Sequence, residues 1–306
     1  MKNIFCLLTV LAVFYSLSAQ NLEPVEFNDQ WVSKITDLAP SEPAAKPLEQ
    51  RKVLVFSLHT GYEHWVIPHT AELVKILGEK SGAFSVELSK DISSFEKYNL
   101  AKYDAVVLNN TCSERARRNL FWDQLGRVAD LSDAERNAEA QRLEQNLLEY
   151  VEQGGGLAAL HGALTMLNFS DEFSHMMGGS FDYHPPQQEV IADVVDKSHP
   201  ITASFDGKPF VCVDEPYFLN KAYSQYNFRP LLSMNTDLIE DKRTEVEDKT
   251  KYIAWIKRYG EGRVFYSAPS HNAHSFENPL LLQFFLNGLQ YTTGDLKCED
   301  SPVGAP

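Results

Sequence analysis

Gly154-Gly155-Gly156-Leu157-Ala158-Ala159-Leu160-His161-Gly162 is the stretch on which the reading of this chain turns. The three glycines stop the helix before them, whose inner stripe is Leu143, Leu147 and Val151. The four apolar residues that follow form a short run without alternation, as a strand buried on both faces requires. His161 then stands at the end of that strand. Upstream, Val53-Leu54-Val55-Phe56 and Tyr103-Asp104-Ala105-Val106-Val107-Leu108 are runs of the same kind, and Phe84-Ser85-Val86-Glu87-Leu88 alternates. Pro68 opens a helix with Leu73, Val74 and Leu77 on one face, ending near Gly82. Strands alternating with helices at this spacing imply right-handed βαβ units and a parallel sheet with helices on both faces, a three-layer α/β fold. Downstream, residues 190–195, 210–213, 252–256 and 263–266 are further strands, and Pro279 begins a last helix over 280–291 that is apolar on nearly all sides.

The rest of the composition narrows the function classes. Of 306 residues, 43% are hydrophobic and 23% charged, and Lys+Arg 28 against Asp+Glu 42 leaves a net charge of −14. That balance argues against nucleic acid as a partner. Lys2, an apolar run over 4–17 and Ser16-Leu17-Ser18-Ala19 read as a secretory signal over 1–19, cut before Gln20 or after Ser18. Export to the periplasm or the extracellular space is expected, with no membrane attachment after cleavage. Residues 20–50 carry Pro24, Pro40, Pro43 and Pro47 and read as an extended linker or docking segment, in which Trp31, Val32 and Ile35 form one short helical turn. One α/β domain over 51–294 and a tail over 295–306 complete the division. Cys112, Cys212 and Cys298 remain after the leader, with no Cys-x-x-Cys pair, so the fold is not disulfide-stapled. A homo-oligomer stays open.

In a parallel sheet, function gathers at the carboxyl ends of the strands. His59, His64, His161, His271 and His274, five of the nine histidines, lie just beyond strands. His184 before Pro185 and His199 before Pro200 lie in loops, and Asp214-Glu215 follows the 210–213 strand directly. Neutral imidazoles with a carboxylate suit a zinc or manganese ion. Without a metal the same groups serve as acid and base. Plainer readings stand beside these: His161 as a core imidazole bonded to backbone, His199 as a turn residue, and His175 packed beside Met176 and Met177. His69 has no role, and residues 113–142 form a solvated helical face.

These pieces, taken in order, resemble the trehalose-utilisation (ThuA-like) family of the class I glutamine-amidotransferase-like, flavodoxin-like fold. The matching motifs are Gly61-Tyr62-Glu63-His64, the stretch from Gly154 to Gly162, Gly178-Gly179-Ser180-Phe181 with His184-Pro185, His199-Pro200-Ile201, Asp214-Glu215-Pro216-Tyr217, and Tyr259-Gly260-Glu261-Gly262-Arg263-Val264-Phe265-Tyr266 leading to His271. They cover about 52–291. In the amidotransferases the corresponding elbow holds a nucleophilic cysteine; here His161 takes its place. Cys112 belongs to another loop, so a Cys–His couple is expected to be absent. The resemblance implies an exported enzyme of disaccharide utilisation, acting on a keto-glycoside by isomerisation or cleavage with a divalent ion and no nucleotide cofactor. His161, His184 and His271 are the expected metal ligands, Glu215 and Asp214 the general acid and base, and His64 a further catalytic group. Either Glu215 or His64 would remove the proton next to the ketone. Tyr183, Tyr217 and Trp65 are expected against the sugar ring. Two other readings remain: a non-catalytic sugar-binding protein, and a metal-free Glu/His hydrolase. Residues 113–137 and 237–251 depart from the family outline and are expected to frame the pocket, the first as a lid or partner surface.

Overall fold

The structure is a computed structural model that describes residues 22–243, 246 and 248–305. The leader read over 1–19 lies outside the described residues. In chain order the elements are α1 (Asp29–Leu38), β1 (Lys52–Phe56), α2 (Ile67–Ser81), β2 (Ser85–Ser89), α3 (Lys97–Leu100), β3 (Ala105–Asn109), α4 (Leu120–Val128), α5 (Asp133–Glu152) and β4 (Gly156–Leu160). Then come α6 (Asp171–Met177), β5 (Ser180–Tyr183), β6 (Gln188–Val194), β7 (Phe210–Asp214), β8 (Phe218–Asn220), β9 (Arg229–Asn235), β10 (Thr250–Tyr259), β11 (Gly262–Ser267) and α7 (Pro279–Thr292).

Nine strands form one sheet in the order β2-β1-β3-β4-β11-β10-β9-β6-β7, and β5 pairs with β8 apart from it. The first five strands in that order are parallel. The expectation of a parallel sheet is corrected beyond β11, where every pairing is antiparallel. The reason is local: only Gly260 and Glu261 separate β10 from β11, and a two-residue turn can join only antiparallel neighbours. Gly260 supplies the positive φ of +56° that such a turn favours. Helices α1, α2 and α7 cover one face and α3 to α6 the other. Between the layers lie the fully buried Phe56, Phe265, Tyr266 and Trp255.

Two other expectations change. The short turn read around Trp31 is a ten-residue helix, α1, capped by the Asn28 side chain and buried through Trp31 and Ile35. The charged stretch over 113–142 is two helices. Asn119 caps the start of α4, and the break before α5 is set by Ser132, which caps α5 in a reciprocal bond with Glu135.

The register places the site. Asn109 pairs with Leu160, and Leu160 with Ser267, so β3, β4 and β11 end level. Their carboxyl ends, with that of β1, deliver four loops to one edge. The order reverses between β1 and β3, the switch point at which such sheets open a crevice. β6 pairs with β9 only through Asp193 and Val194. The other end of the β6–β7 hairpin, Gln188 opposite Asp214, therefore leaves the sheet and returns over that edge.

Candidate active site

His161 begins the turn after β4 with a left-handed φ of +50°, an uncommon conformation for a residue with a side chain and one that costs on the order of 1–3 kcal/mol. The turn aims its ring across the strand ends. Its Nδ1 lies 2.9 Å from the Ala268 carbonyl, to which only an N–H can donate. In the neutral ring Nε2 is then bare. Around that atom stand Glu215 Oε2 at 3.1 Å, Tyr217 Oη at 3.1 Å and His271 Nδ1 at 3.0 Å. Glu215 Oε2 is also 3.3 Å from His271 Nδ1 and 3.6 Å from His184 Nε2.

A bare nitrogen and a carboxylate oxygen at hydrogen-bond distance repel unless a cation or proton stands between them. Ligand atoms of His64, His161, Glu215 and His271 all lie within 4.8 Å of one another. The donor set of three imidazoles and one carboxylate therefore fits a divalent ion. The contact of His161 Nδ1 with a backbone carbonyl is the outer support that metal-binding histidines use. His271 is held differently. Asn272 Nδ2 donates to Gln187 Oε1 and to the Val213 carbonyl, which leaves Gln187 Nε2 to donate to His271 Nε2 at 2.9 Å. Neutral His271 thus carries its proton on Nδ1, inside the cluster, and joins an ion only by releasing it.

Burial by itself would raise the Glu215 carboxyl, but hydrogen bonds and charge from His161, in its protonated form, and from His271 outweigh it and hold it well below the usual carboxylate range. Burial opposes protonation of His161, yet Glu215 and Asp214 together push its pKa up. Burial, then the charges of His161 and His271, holds His64 well below the usual imidazole range.

The cluster faces a cleft of about 260 Å³ lined by Gly61, Tyr62, His64, Cys112, Ser113, Arg115, Arg118, Thr165, Phe181, His184, Glu215 and Tyr217. Of the residues predicted from sequence, His64, His184, Glu215 and Tyr217 line it, and His161 and His271 stand behind them. His184 is the most open imidazole at the cleft, its side chain 33% exposed and its ring stacked on Tyr217. Expected as a metal ligand with His161 and His271, it stands outside the four-residue group, in which Glu215 and His64 join those two.

Three predicted residues do not line the cleft. Asp214 is buried, and its carboxylate accepts from the backbone N–H groups of Glu215, Ser270 and His271, so it positions the His271 loop. Tyr183 is sandwiched between Phe218 and Arg243. Trp65 lies edge-on against His69 and His274, and His69 in turn packs on Trp31 of α1. His199 is held by the Glu299 carbonyl and the Ile201 N–H. His175 is exposed rather than packed.

Cys112 and His64, expected on separate loops, nevertheless meet. Cys112 Sγ lies 3.7 Å from His64 Nδ1, because β1 and β3 are neighbours and their loops meet. Burial pushes that thiol up to about 11, so it is a neutral neighbour of His64 rather than a ready nucleophile. Two glycines permit this packing. A Cβ at Gly162 would meet Cys112 Sγ at 2.6 Å and His64 Cε1 at 2.9 Å, and one at Gly61 would meet the Ser113 carbonyl oxygen at 2.2 Å.

Sequence reasoning missed Arg115, Arg118 and Gln187. The Arg pair lay in a stretch read as a solvated helical face, and its signal was the polar run Asn109-Asn110-Thr111 that marks a loop at a strand end.

Comparison with known proteins agrees with this architecture. No curated protein matches the sequence. A solved ThuA-like protein of Bacteroides uniformis superimposes with a TM-score of 0.57 at 20% identity, over 80% of this chain and 91% of that one. One from Parabacteroides merdae does so with a TM-score of 0.55 at 20% identity, over 82% and 93%. At these identities the likeness speaks for the fold. The family model for trehalose utilisation matches residues 52–292, which include every residue of the cleft, and the chain belongs to the ThuA family.

Proposed function

We propose that this ThuA-family chain is a metal-assisted enzyme of carbohydrate utilisation that acts on a keto-glycoside. The family's description, trehalose utilisation, supports the carbohydrate setting. The observation that carries the rest is the convergence of His64, His161, Glu215 and His271 behind one cleft. These four would hold a divalent ion, zinc or manganese. Bound there, such an ion supplies polarisation of a sugar ketone and its neighbouring hydroxyl.

The chain's own groups do the rest. A ketone makes the adjacent C–H acidic. His184 Nε2, open to the cleft and 3.6 Å from Glu215, accepts that proton, and Glu215 stabilises the imidazolium that forms. Tyr217 Oη, beside His161, donates toward oxygen at the reacting centre. The Tyr62 and Tyr217 rings give the apolar face of a sugar something to lie against. Return of the proton to the neighbouring carbon is isomerisation; loss of the glycosidic oxygen from the carbon beyond is cleavage. Export is part of the proposal, and N-terminal sequencing of the protein recovered from periplasm or medium tests it.

The decisive experiment pairs elemental analysis of purified protein with turnover of 3-keto-trehalose and 3-keto-glucosides, with and without chelator. Stoichiometric metal and chelator-sensitive turnover are expected. Turnover indifferent to chelator supports the Glu/His hydrolase, and sugar binding without turnover supports the binding protein.

A further inference from the structure

The cleft has one wall that the keto-glycoside reading does not use. Residues 114–119, between β3 and α4, present Arg115 and Arg118 to it. Neither forms an ion pair among the described residues. The one acceptor recorded for Arg118 is the Ser113 carbonyl, at 3.4 Å. Nearby carboxylates are already engaged: Glu114 by Arg127 at 2.5 Å, and Glu215 by the histidines. Two adjacent cations without a counter-ion are unusual in a chain of net charge −14. Burial, and to a lesser extent the charge of Arg115, disfavours the Arg118 cation.

The wall is also rigid. The Asp123 carboxylate accepts from Thr60 Oγ1 at 2.7 Å and from the Glu114 N–H at 2.9 Å, which ties the segment to the β1 loop. Ser113 Oγ donates to the Thr165 carbonyl at 2.5 Å, which ties it to the elbow. Arg118 itself has a left-handed φ of +49°, and its N–H donates to the Glu114 carbonyl. Strain of this kind persists where surrounding contacts fix it. Arg127, by contrast, has its carboxylate.

We propose that Arg115 and Arg118 form an anion-binding wall of the cleft, so that the sugar this protein takes carries a negative group, a carboxylate as in a uronic acid or a phosphate ester. Guanidinium groups pair with carboxylate or phosphate through two parallel hydrogen bonds, and a half-buried one does so with less screening. This inference rests on the sugar-binding part of the proposed function and specifies its substrate.

Binding of three probes to the full chain, by calorimetry or chemical-shift titration, tests it: methyl β-D-glucuronide, glucose 6-phosphate and the neutral methyl β-D-glucoside. The expected result is at least tenfold tighter binding of one anionic probe than of the glucoside, falling steeply with salt. Whichever anionic probe binds more tightly tells carboxylate from phosphate. Arg118→Gln and Arg115→Gln should each reduce that preference severalfold, and Arg118→Lys should restore part of it. Equal binding of neutral and anionic probes overturns the anionic wall and leaves the sugar reading standing. Failure of all three probes to bind overturns both. A preference that survives in both Gln variants, with their unfolding transitions unchanged, overturns the assignment to this pair.

Discussion

The two ends of the parallel strands treat charge in opposite ways. At the amino end Arg51 meets Glu49, Asp104 and Asp295 at 2.6, 2.8 and 2.9 Å, and Asp295 also accepts from the Leu48 N–H and Thr293 hydroxyl. The Arg51 guanidinium is ringed there by three carboxylates. At the carboxyl end imidazole nitrogens face one another at 3.0 Å around a carboxylate, and two arginines lack counter-ions. The amino end holds the larger hollow, about 610 Å³, lined by Arg51, Tyr103 and Arg263 among others. Size alone would have chosen it. The crowded imidazoles, the left-handed His161 and the switch in strand order all sit at the other end, and those are what chemistry needs.

The sharpest way to break this contrast is to remove one group from each end. His161→Ala takes away the atom on which Glu215, Tyr217 and His271 converge. Turnover of a 3-keto-glucoside should fall by about 10²–10⁴-fold and bound metal should drop, while urea unfolding stays cooperative. Arg51→Ala should do the reverse. Asp295 is fully buried and Arg51 only 11% exposed, so deleting the cation strands a buried carboxylate and should lower stability by about 3–5 kcal/mol in urea unfolding. The kcat/KM of the remaining folded protein should be unchanged. If Arg51→Ala abolished turnover in fully folded protein, the division between the two ends would fail.

The same contrast explains what the sequence disclosed. Strands β1, β3 and β4 are buried along almost their whole length, and complete burial writes itself as an unbroken apolar run. β9 escaped notice because Pro230 interrupts Arg-Pro-Leu-Leu-Ser-Met-Asn, and β5 and β8, of 4 and 3 residues, are too short to show a period. His161, His271 and Glu215 were legible because each closely follows a strand, and strand ends are where a sheet of this class puts its crevice. Trp65 and Tyr183 were not, since which way a side chain leaves a loop or a short edge strand depends on packing rather than spacing. Trp65 turns against His69, which itself packs on Trp31 of α1, a helix the sequence showed only as one short turn. The approach of Cys112 to His64 needed the strand order, which no local pattern contains.

A subtler break targets the join between the loops. Gly162→Ala adds one methyl where Cys112 and His64 already touch. Overpacking of this kind costs about 1–3 kcal/mol. Because the atoms pushed belong to His64, kcat/KM and metal content should fall along with stability. Cys112→Ala should relieve the clash with the sulfur and recover part of both. Recovery of stability without activity would place Cys112 in the chemistry itself.

The smallest expected effect lies at a paired charge remote from both ends. Asp196 is pushed down to about 2, first by hydrogen bonds from Ser198 and then by Arg229 at 2.6 Å. A carboxyl depressed in the folded state adds stability above its ordinary value of 3.8 and loses it as pH falls through 2, because the unfolded chain then binds the proton more readily. Its side chain is 25% exposed, so water screens the pair and the contribution should be no more than about 1 kcal/mol. Asp196→Asn should therefore differ from the parent by that amount at neutral pH, and the two urea-unfolding curves should draw together between pH 4 and pH 2. A gap independent of pH would mean that the side-chain hydrogen bonds to Ser198, which an amide oxygen keeps in part, matter less than packing, and that paired charge outside the amino-end clasp does little for this fold.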